Sequence, residues 1–165
     1  MIRPVRPEDG EELAALYTAN RDFLAPLEPV RPPEFFTADG QRDRLGLQLA
    51  DETHPFAILD GDAIAGTINL FNIVRESLQS GTIGYWIDQA RNGRGLATGA
   101  VGEVLAYAFG DLDLHRVEAA TLVGNVPSQR VLEKNGFERI GLARRFLRIG
   151  DNWRDFLLFQ RLAED

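Results

Sequence analysis

A glycine-rich turn at residues 92–99 (NGRGLATG) is the part of the sequence whose residue types point most clearly to chemistry. It lies between a predicted strand and the start of a predicted amphipathic helix. The first turn of a helix carries unpaired N–H donors and the positive end of the helix dipole, and glycines let the backbone approach a phosphate closely. The turn therefore predicts a pyrophosphate site. The candidate ligand-binding residues are Asn92, Gly93, Arg94, Gly95, Leu96, Ala97 and Thr98.

Other phosphate-binding motifs fit this turn less well. A Walker A loop needs Gly-Lys-Ser/Thr, whereas the only lysine of the chain, Lys134, is far from the turn. A dinucleotide fingerprint is nearly met by Gly93 and Gly95, but Thr98 stands at its third position and no acidic residue ends the next predicted strand. A helix cap without any ligand is the remaining alternative.

The stretch G-R-G-L-A-T after an aromatic strand resembles the acetyl-CoA loop Q/R-x-x-G-x-G/A of the GNAT N-acetyltransferase superfamily. I-G-Y-W-I (83–87), R-V-E-A-A-T (116–121) and N-V-P-S-Q-R-V-L-E-K-N-G-F (125–137) resemble its RimJ/RimL branch, the ribosomal-protein N-terminal acetyltransferases. One departure is Asn92, which stands where the loop normally has Gln or Arg, although Arg91 is adjacent.

This resemblance implies that an amine attacks the thioester of acetyl-CoA directly, in a gap between two splayed strands. Backbone N–H groups of residues 85–87 would polarise the thioester carbonyl, and an oxyanion donor of this kind contributes about 3 kcal/mol. Trp86 and Ile87 are therefore candidate coenzyme-binding residues. Neither a side-chain nucleophile nor a metal is expected.

Ser128 follows Asn125 by three residues, at the position where this family carries a residue close to the coenzyme sulfur. The resemblance implies that both residues contact the coenzyme and that the Ser128 hydroxyl protonates the leaving thiolate. A structural alternative is that Asn125 only caps a short helix, with Pro127 and Ser128 in its first turn. The two roles are compatible for Asn125.

The general base has no clear position in the sequence. The branch often has a glutamate after the final G-F, but Arg145 aligns there and no carboxylate occurs between Glu138 and Asp151. Glu118 on a predicted strand is the remaining candidate catalytic carboxylate. It shares a strand face with Arg116, however, and equally suits a structural ion pair.

A weak base favours an acceptor that is already partly neutral. An α-amino group with a pKa of about 7.8 is roughly 14% neutral at pH 7, whereas a lysine amine at about 10.4 is neutral in only about 0.04% of molecules. We therefore expect the N-terminal α-amine of a protein or peptide as acceptor. The alternatives are a small-molecule amine (a polyamine, an amino acid or an antibiotic) and a non-catalytic acetyl-CoA-binding module.

The acceptor is expected to meet the variable N-terminal region, where aromatic and acidic residues alternate. The candidate acceptor-binding residues are Phe23, Glu28 and Phe35, together with Tyr85 on the predicted strand. Acidic and aromatic side chains suit a cationic amine. Alternatively, the aromatic residues simply fill the core around an irregular loop.

The net charge of −7 is unevenly distributed along the chain. Residues 1–60 carry 12 acidic and 6 basic residues, which predicts an acidic acceptor side. Residues 126–150 carry six basic side chains against two acidic ones, and we expect them near the coenzyme phosphates. The overall acidity argues against nucleic acid as a partner.

The composition is that of one globular domain spanning residues 1–165, with 44% hydrophobic and 26% charged residues and no linker. No cysteine is present, which excludes disulfides and thiolate metal sites. No signal core and no apolar run of roughly 20 residues occurs, so we expect a cytoplasmic protein without a membrane partner. The chain is expected to be a monomer or a homodimer.

The hydrophobic periodicity predicts the element order β-α-α-β-β-β-α-β-α-β-β. A hairpin is expected to turn at Asp60-Gly61, and the long helix after the glycine-rich turn to pack Ala97 and Val101 on the sheet. Strands that first run together and then alternate with helices indicate an α/β (α+β) class with a mixed sheet. The resemblance implies a mostly antiparallel sheet of about seven strands, with helices on both faces and a splayed central strand pair.

Overall fold

The computed structural model describes residues 1–163, in which seven strands and five α-helices follow one another. The strands are β1 (Ile2–Pro4), β2 (His54–Asp60), β3 (Ala63–Val74), β4 (Ser80–Ile87), β5 (Arg116–Leu122), β6 (Glu138–Ile149) and β7 (Asn152–Leu162). The helices are α1 (Gly10–Ala19), α2 (Arg21–Leu24), α3 (Ala38–Ala50), α4 (Leu96–Gly110) and α5 (Val126–Lys134). Short 3-10 turns lie at Pro7–Asp9, Pro33–Phe36 and Gln89–Arg91.

The seven strands form one sheet in the order β1-β2-β3-β4-β5-β7-β6. Every neighbouring pair is antiparallel except β4 and β5, which run parallel. The expected mixed, mostly antiparallel sheet is thereby confirmed. A parallel pair needs a crossover connection, which α4 supplies between β4 and β5.

Helices cover both faces of the sheet, as expected. On one face, here called the α4 face, Val104 of α4 and Leu132 of α5 are fully buried in a core that includes Ile68 of β3. On the opposite α1 face, Leu13 of α1 packs against Ala57 of β2. Alternate residues of the strands supply the two faces, which is why β2 and β3 read as nearly continuous apolar runs.

The central strands β4 and β5 separate partway along their length. Their residues pair from Ser80 opposite Arg116 up to Ile83 opposite Ala119, and no pair follows. Residues 84–87 of β4 therefore diverge from residues 120–122 of β5. This space, here called the gap, is the splayed strand pair that the resemblance implied.

Two local expectations differ in detail from the structure. The β2–β3 hairpin turns at Gly61 and Asp62 rather than at Asp60-Gly61, because a bulge between Ile58 and Leu59 shifts the register so that Asp60 pairs with Ala63. Gly61 alone supplies a positive φ there, of 63°. In α4, the fully buried positions begin at Ala100, and Ala97 is only partly buried against the core. Within residues 1–163, no helix combines the length and apolarity that crossing a bilayer requires.

Candidate active site

The glycine-rich turn ends at the N-terminus of α4. Gly95 is the N-cap in the left-handed conformation, with a φ of 79°, and Gly93 has a φ of 76°. The first helical hydrogen bond runs from Gly99 N–H to the Gly95 carbonyl oxygen at 3.0 Å. No side chain caps the helix, so the N–H groups of Leu96, Ala97 and Thr98 have no intrahelical acceptor. A 15-residue helix with uncapped donors and no acidic residue in its first turn fits an anionic diphosphate.

Two arginines fix the turn to the β2–β3 hairpin. Arg94 forms an ion pair with Asp60, and Arg91 donates to the Ile64 carbonyl oxygen at 3.0 Å while lying 3.6 Å from Asp88. The guanidinium of Arg94 is therefore held beside a carboxylate, whereas the backbone donors of the turn stay available. This arrangement is consistent with a coenzyme loop that works through its backbone, as the sequence suggested.

The backbone of β4 presents two donors to the gap. Asp88 N–H donates to the Ala65 carbonyl oxygen on the β3 side at 2.7 Å. Successive N–H groups of a strand point to opposite edges, so the N–H groups of Tyr85 and Ile87 point towards β5. Since β5 no longer pairs there, these two N–H groups face the gap and can polarise a carbonyl oxygen. The N–H of Trp86, which the sequence also assigned to the coenzyme, points towards β3 instead.

Tyr85 and Ser128 meet on the α4 face at the gap. The two hydroxyl oxygens are 2.9 Å apart, and the Tyr85 hydroxyl also donates to the Ser128 carbonyl oxygen at 3.2 Å. Burial raises the pKa of Tyr85 to about 12, so its phenol is a proton donor at neutral pH. Asn125 caps α5, its side-chain oxygen accepting the Ser128 N–H at 3.3 Å. The cap proposed as a structural alternative is thus present, and it positions the Ser128 hydroxyl.

Sequence reasoning missed this partnership because 43 positions separate its two members. It placed Tyr85 with the acceptor, whereas the structure puts the side chain on the α4 face, beside α5. A second missed group is Thr121, two residues beyond the last β4-paired position of β5. Its hydroxyl is buried and has no hydrogen-bond partner within residues 1–163, so it is a free polar group at the edge of the gap.

An aromatic cluster lies on the α1 face directly behind β4. The Trp86 indole N–H donates to the Tyr17 hydroxyl at 2.9 Å, and the two rings are 4.6 Å apart. Phe35 packs edge-on against Tyr17 with centroids 4.7 Å apart, and Phe23 adds partly buried surface. The alternative that the predicted aromatics fill a core is correct for Phe35, which is buried. Tyr17 was not singled out in the sequence, because its helical spacing reads as core.

A pocket of about 210 Å³, here called the N-terminal pocket, opens beside this cluster. Its lining includes Tyr17, Leu24, Phe36, Arg21, Arg31 and the predicted Glu28. The wall of this pocket is not acidic as expected, because two arginines and only one glutamate line it. The net charge of residues 1–60 did not predict the charge of the pocket wall. Most acidic residues of this segment, such as Asp39 and Glu34, lie on exposed helix and turn surfaces instead.

Two positions were considered for the general base, and the carboxylate found at each is hydrogen-bonded to a neighbouring residue. Glu118 accepts from Arg116 at 2.6 and 2.7 Å, both bonds ending on the same oxygen, Oε1. At the other position, Arg145 has a φ of 50° in a β6 bulge, and its N–H donates to the side chain of Asp155 at 2.8 Å. Asp155 stands on β7, outside the segment in which the sequence was searched for a carboxylate.

The basic segment 126–150 divides between two places in the fold. Two of the six basic residues, Arg130 and Lys134, lie on α5, next to α4. The other four lie on β6: Arg139, Arg144, Arg145 and Arg148. That strand is at the sheet edge, separated from β4 by β5 and β7. The expected concentration of all six cations around the coenzyme phosphates is therefore not formed.

The chain matches the family model described as an acetyltransferase (GNAT) domain over residues 1–138. It is similar to a probable N-acetyltransferase, YjcK, of Bacillus subtilis, with 39% identity covering 99% of this chain and 94% of that protein. It is also similar to the [ribosomal protein uS5]-alanine N-acetyltransferase of Escherichia coli, with 34% identity covering 96% of this chain and 84% of that protein.

Among solved structures, the fold superposes on RimJ of Mycobacterium smegmatis in complex with CoA-disulfide. The TM-score is 0.92 at 30% identity, and the alignment covers 98% of this chain and 81% of that one. A close structural relative thus holds coenzyme A. The backbone donors at the start of α4 and in the gap fit the diphosphate of coenzyme A and the thioester carbonyl of its acetylated form.

Proposed function

The chain belongs to the GNAT family of acetyl-CoA-dependent N-acetyltransferases, and we propose that its acceptor is the N-terminal α-amine of a protein or peptide, as for a ribosomal protein. The observation that carries this proposal is the chemistry of the gap. The hydroxyls of Tyr85, Ser128 and Thr121 lie at the gap, whereas the carboxylate of Glu118 lies on the paired part of β5 and already accepts from Arg116.

A gap without a dedicated base favours an amine that loses its proton readily. At pH 7 an α-amine is neutral several hundred times more often than a lysine amine, an advantage of about 3 to 4 kcal/mol. Water can therefore relay the proton of an α-amine without a carboxylate base. The similarity to a uS5-alanine acetyltransferase supports the same acceptor class.

In the proposed reaction the neutral amine attacks the thioester carbon, forming the N–C bond. The N–H groups of Tyr85 and Ile87 stabilise the oxyanion, and each such donor typically contributes about 3 kcal/mol. The C–S bond then breaks, and the Tyr85–Ser128 pair delivers a proton to the leaving thiolate. The nitrogen of the tetrahedral intermediate loses its extra proton to water, and water returns a proton to the hydroxyl pair. A ribosomal-protein-like acceptor would place this reaction in the cytoplasm.

A small-molecule amine is the second candidate acceptor. The observation in its favour is the modest size of the N-terminal pocket, about 210 Å³, below the usual range of roughly 300–1,000 Å³ for drug-sized ligands. Its two lining arginines oppose a polycation such as a polyamine.

Thiol release from acetyl-CoA with a panel of amines tests the proposal. The panel contains peptides that begin with Ala or Ser, the same peptides with a formylated N-terminus and an internal lysine, and spermidine. The proposal expects turnover of the free peptides and at least a hundredfold lower rate with the blocked ones. Turnover of spermidine alone, or equal rates with free and blocked peptides, would contradict it.

A further inference from the structure

Three arginine side chains stack on the aromatic cluster beside the N-terminal pocket, and two of them, Arg21 and Arg31, line the pocket itself. The guanidinium carbon of Arg21 lies 4.4 Å from the centre of the Phe36 ring. That of Arg31 lies 4.9 Å from the Phe35 ring, and that of Arg44 lies 5.3 Å from the same ring. They come from α2, the following loop and α3, so only the fold brings them together.

One carboxylate, that of Glu28, partly balances the positive charge of the three arginines. Glu28 lies 3.5 Å from Arg31, a long contact for an ion pair. Within residues 1–163, no carboxylate oxygen lies within 4.0 Å of Arg21 or Arg44. Each guanidinium has five N–H donors, so the cluster retains most of its hydrogen-bonding capacity.

One of those N–H donors has no acceptor, which indicates that a ligand supplies it. The Nε of Arg31 is buried and has no hydrogen-bond partner within the described part of the chain. Buried polar groups are normally hydrogen-bonded, because leaving one unpaired costs free energy. Stacking on Phe35 alone explains the position of the guanidinium but leaves this donor unused.

The cluster is connected to the gap through two side chains. Tyr17 lines the N-terminal pocket and accepts a hydrogen bond from Trp86, the β4 residue between the two gap-facing N–H donors. An extended peptide advances about 3.3–3.6 Å per residue. An acceptor whose amine reaches the gap and whose chain continues past Trp86 and Tyr17, whose rings are 4.6 Å apart, would bring one of its first residues to the pocket.

We propose that the N-terminal pocket binds a carboxylate of the acceptor, carried by an acidic side chain at the second or third position of the peptide. Arginine recognises carboxylates by parallel N–H···O hydrogen bonds, and the aromatic wall excludes water that would weaken them. This inference rests on the proposed function, because it assigns a residue preference to the same acceptor. Arg21, Arg31 and Arg44 are then specificity-determining residues rather than catalytic ones.

The test compares peptides that are identical except at the second and third positions, which are Asp, Asn or Lys. The expected kcat/KM for the Asp peptides is about tenfold above that of the Asn peptides, and the Lys peptides are the poorest. Higher salt should reduce the preference, since part of it is electrostatic. Equal values for the three sets, or a preference for Lys, would overturn the inference.

Variants then assign the preference to the cluster. Arg21→Gln and Arg31→Gln should each lower the Asp-to-Asn ratio of kcat/KM, and this double variant should bring it near one. Arg44→Gln should lower the ratio less, because Arg44 does not line the pocket. The ratio is measured within one preparation, so partial unfolding does not change it. Arg42→Gln is the matched control, because Arg42 lies on α3 beside Arg44 but pairs with Asp39. A ratio that persists in the double variant would overturn the assignment.

Failure of the inference is distinguishable from failure of the proposed function. If every peptide is acetylated at the same rate, the acceptor class stands and the acidic preference is wrong. If no peptide is acetylated, the proposed function is wrong. In that case the charge preference is measured with small amines. Faster acetylation of spermidine than of aspartate would then overturn the proposed preference for a carboxylate.

Discussion

Replacing Gly95 with valine should weaken coenzyme A binding about 10- to 150-fold. A branched side chain at a φ of 79° costs about 1–2 kcal/mol or more, so the peptide before Leu96 is expected to rotate out of the left-handed region. Rotation turns the Leu96 N–H away from the diphosphate. A hydrogen bond to a charged group contributes about 1.5–3 kcal/mol, which corresponds to the stated change in Kd. A Cβ at Gly95 meets no atom within 4 Å, so the effect is conformational rather than a clash.

Calorimetric titration with coenzyme A measures this change directly. Gly46→Ala serves as the control, because Gly46 lies in α3, has open space around it and is remote from the turn. That variant should bind coenzyme A normally and gain about 0.5–1 kcal/mol of stability. Turnover of S-acetylpantetheine, which lacks the diphosphate, should be nearly unaffected by Gly95→Val. An unchanged Kd for coenzyme A, or an equal loss with S-acetylpantetheine, would refute the assignment of this turn.

Two further predictions concern the hydroxyl pair and the N-terminal ion pair. Tyr85→Phe and Ser128→Ala should each lower kcat about 10- to 100-fold with little change in coenzyme A affinity, as stopped-flow thiol release and calorimetry can show. The pKa of Tyr85 is about 12, so its phenol should not ionise up to pH 10. The wild-type rate should therefore rise with pH as the acceptor amine is deprotonated, without a later loss. A fall in rate between pH 8 and 10 that Tyr85→Phe removes would contradict this. Asp9→Asn should cost about 2 kcal/mol of stability at pH 7, since Asp9 accepts two hydrogen bonds from Arg3 at 2.7 and 2.8 Å. The Arg3 hydrogen bonds lower the pKa of Asp9, so this contribution is complete above the unfolded value of about 3.9 and is lost as the pH falls through the folded value. In urea titrations, a difference between wild type and variant that does not shrink as the pH falls below about 3.9 would be inconsistent with the ion pair.

The elements and the coenzyme turn were accessible from the sequence because their signals are local. The period of the apolar residues defines α4 and the strands, and the spacing of Gly93 and Gly95 defines the turn. The positive φ values at both glycines are the conformations that such spacing predicts. The Asn125 cap was likewise visible as a short-range pattern three residues before Ser128.

The remaining parts of the site depend on contacts between distant segments, which periodicity does not encode. Tyr85 joins Ser128 only because β4 and α5 meet at the gap. The arginines around the aromatic cluster come from α2, a loop and α3, and most acidic residues of 1–60 lie on exposed surfaces. A charge count along residues 1–60 therefore gave the wrong sign for the pocket wall.

The location of the transferred acetyl group tests the central claim most directly. A peptide that begins Ala-Asp, has a free α-amine and contains one internal lysine is incubated with the protein and acetyl-CoA, and the product is sequenced by tandem mass spectrometry. We predict a single acetyl group, on the α-amine. Acetylation confined to the lysine side chain, or no peptide product while a small amine is acetylated, would contradict the account.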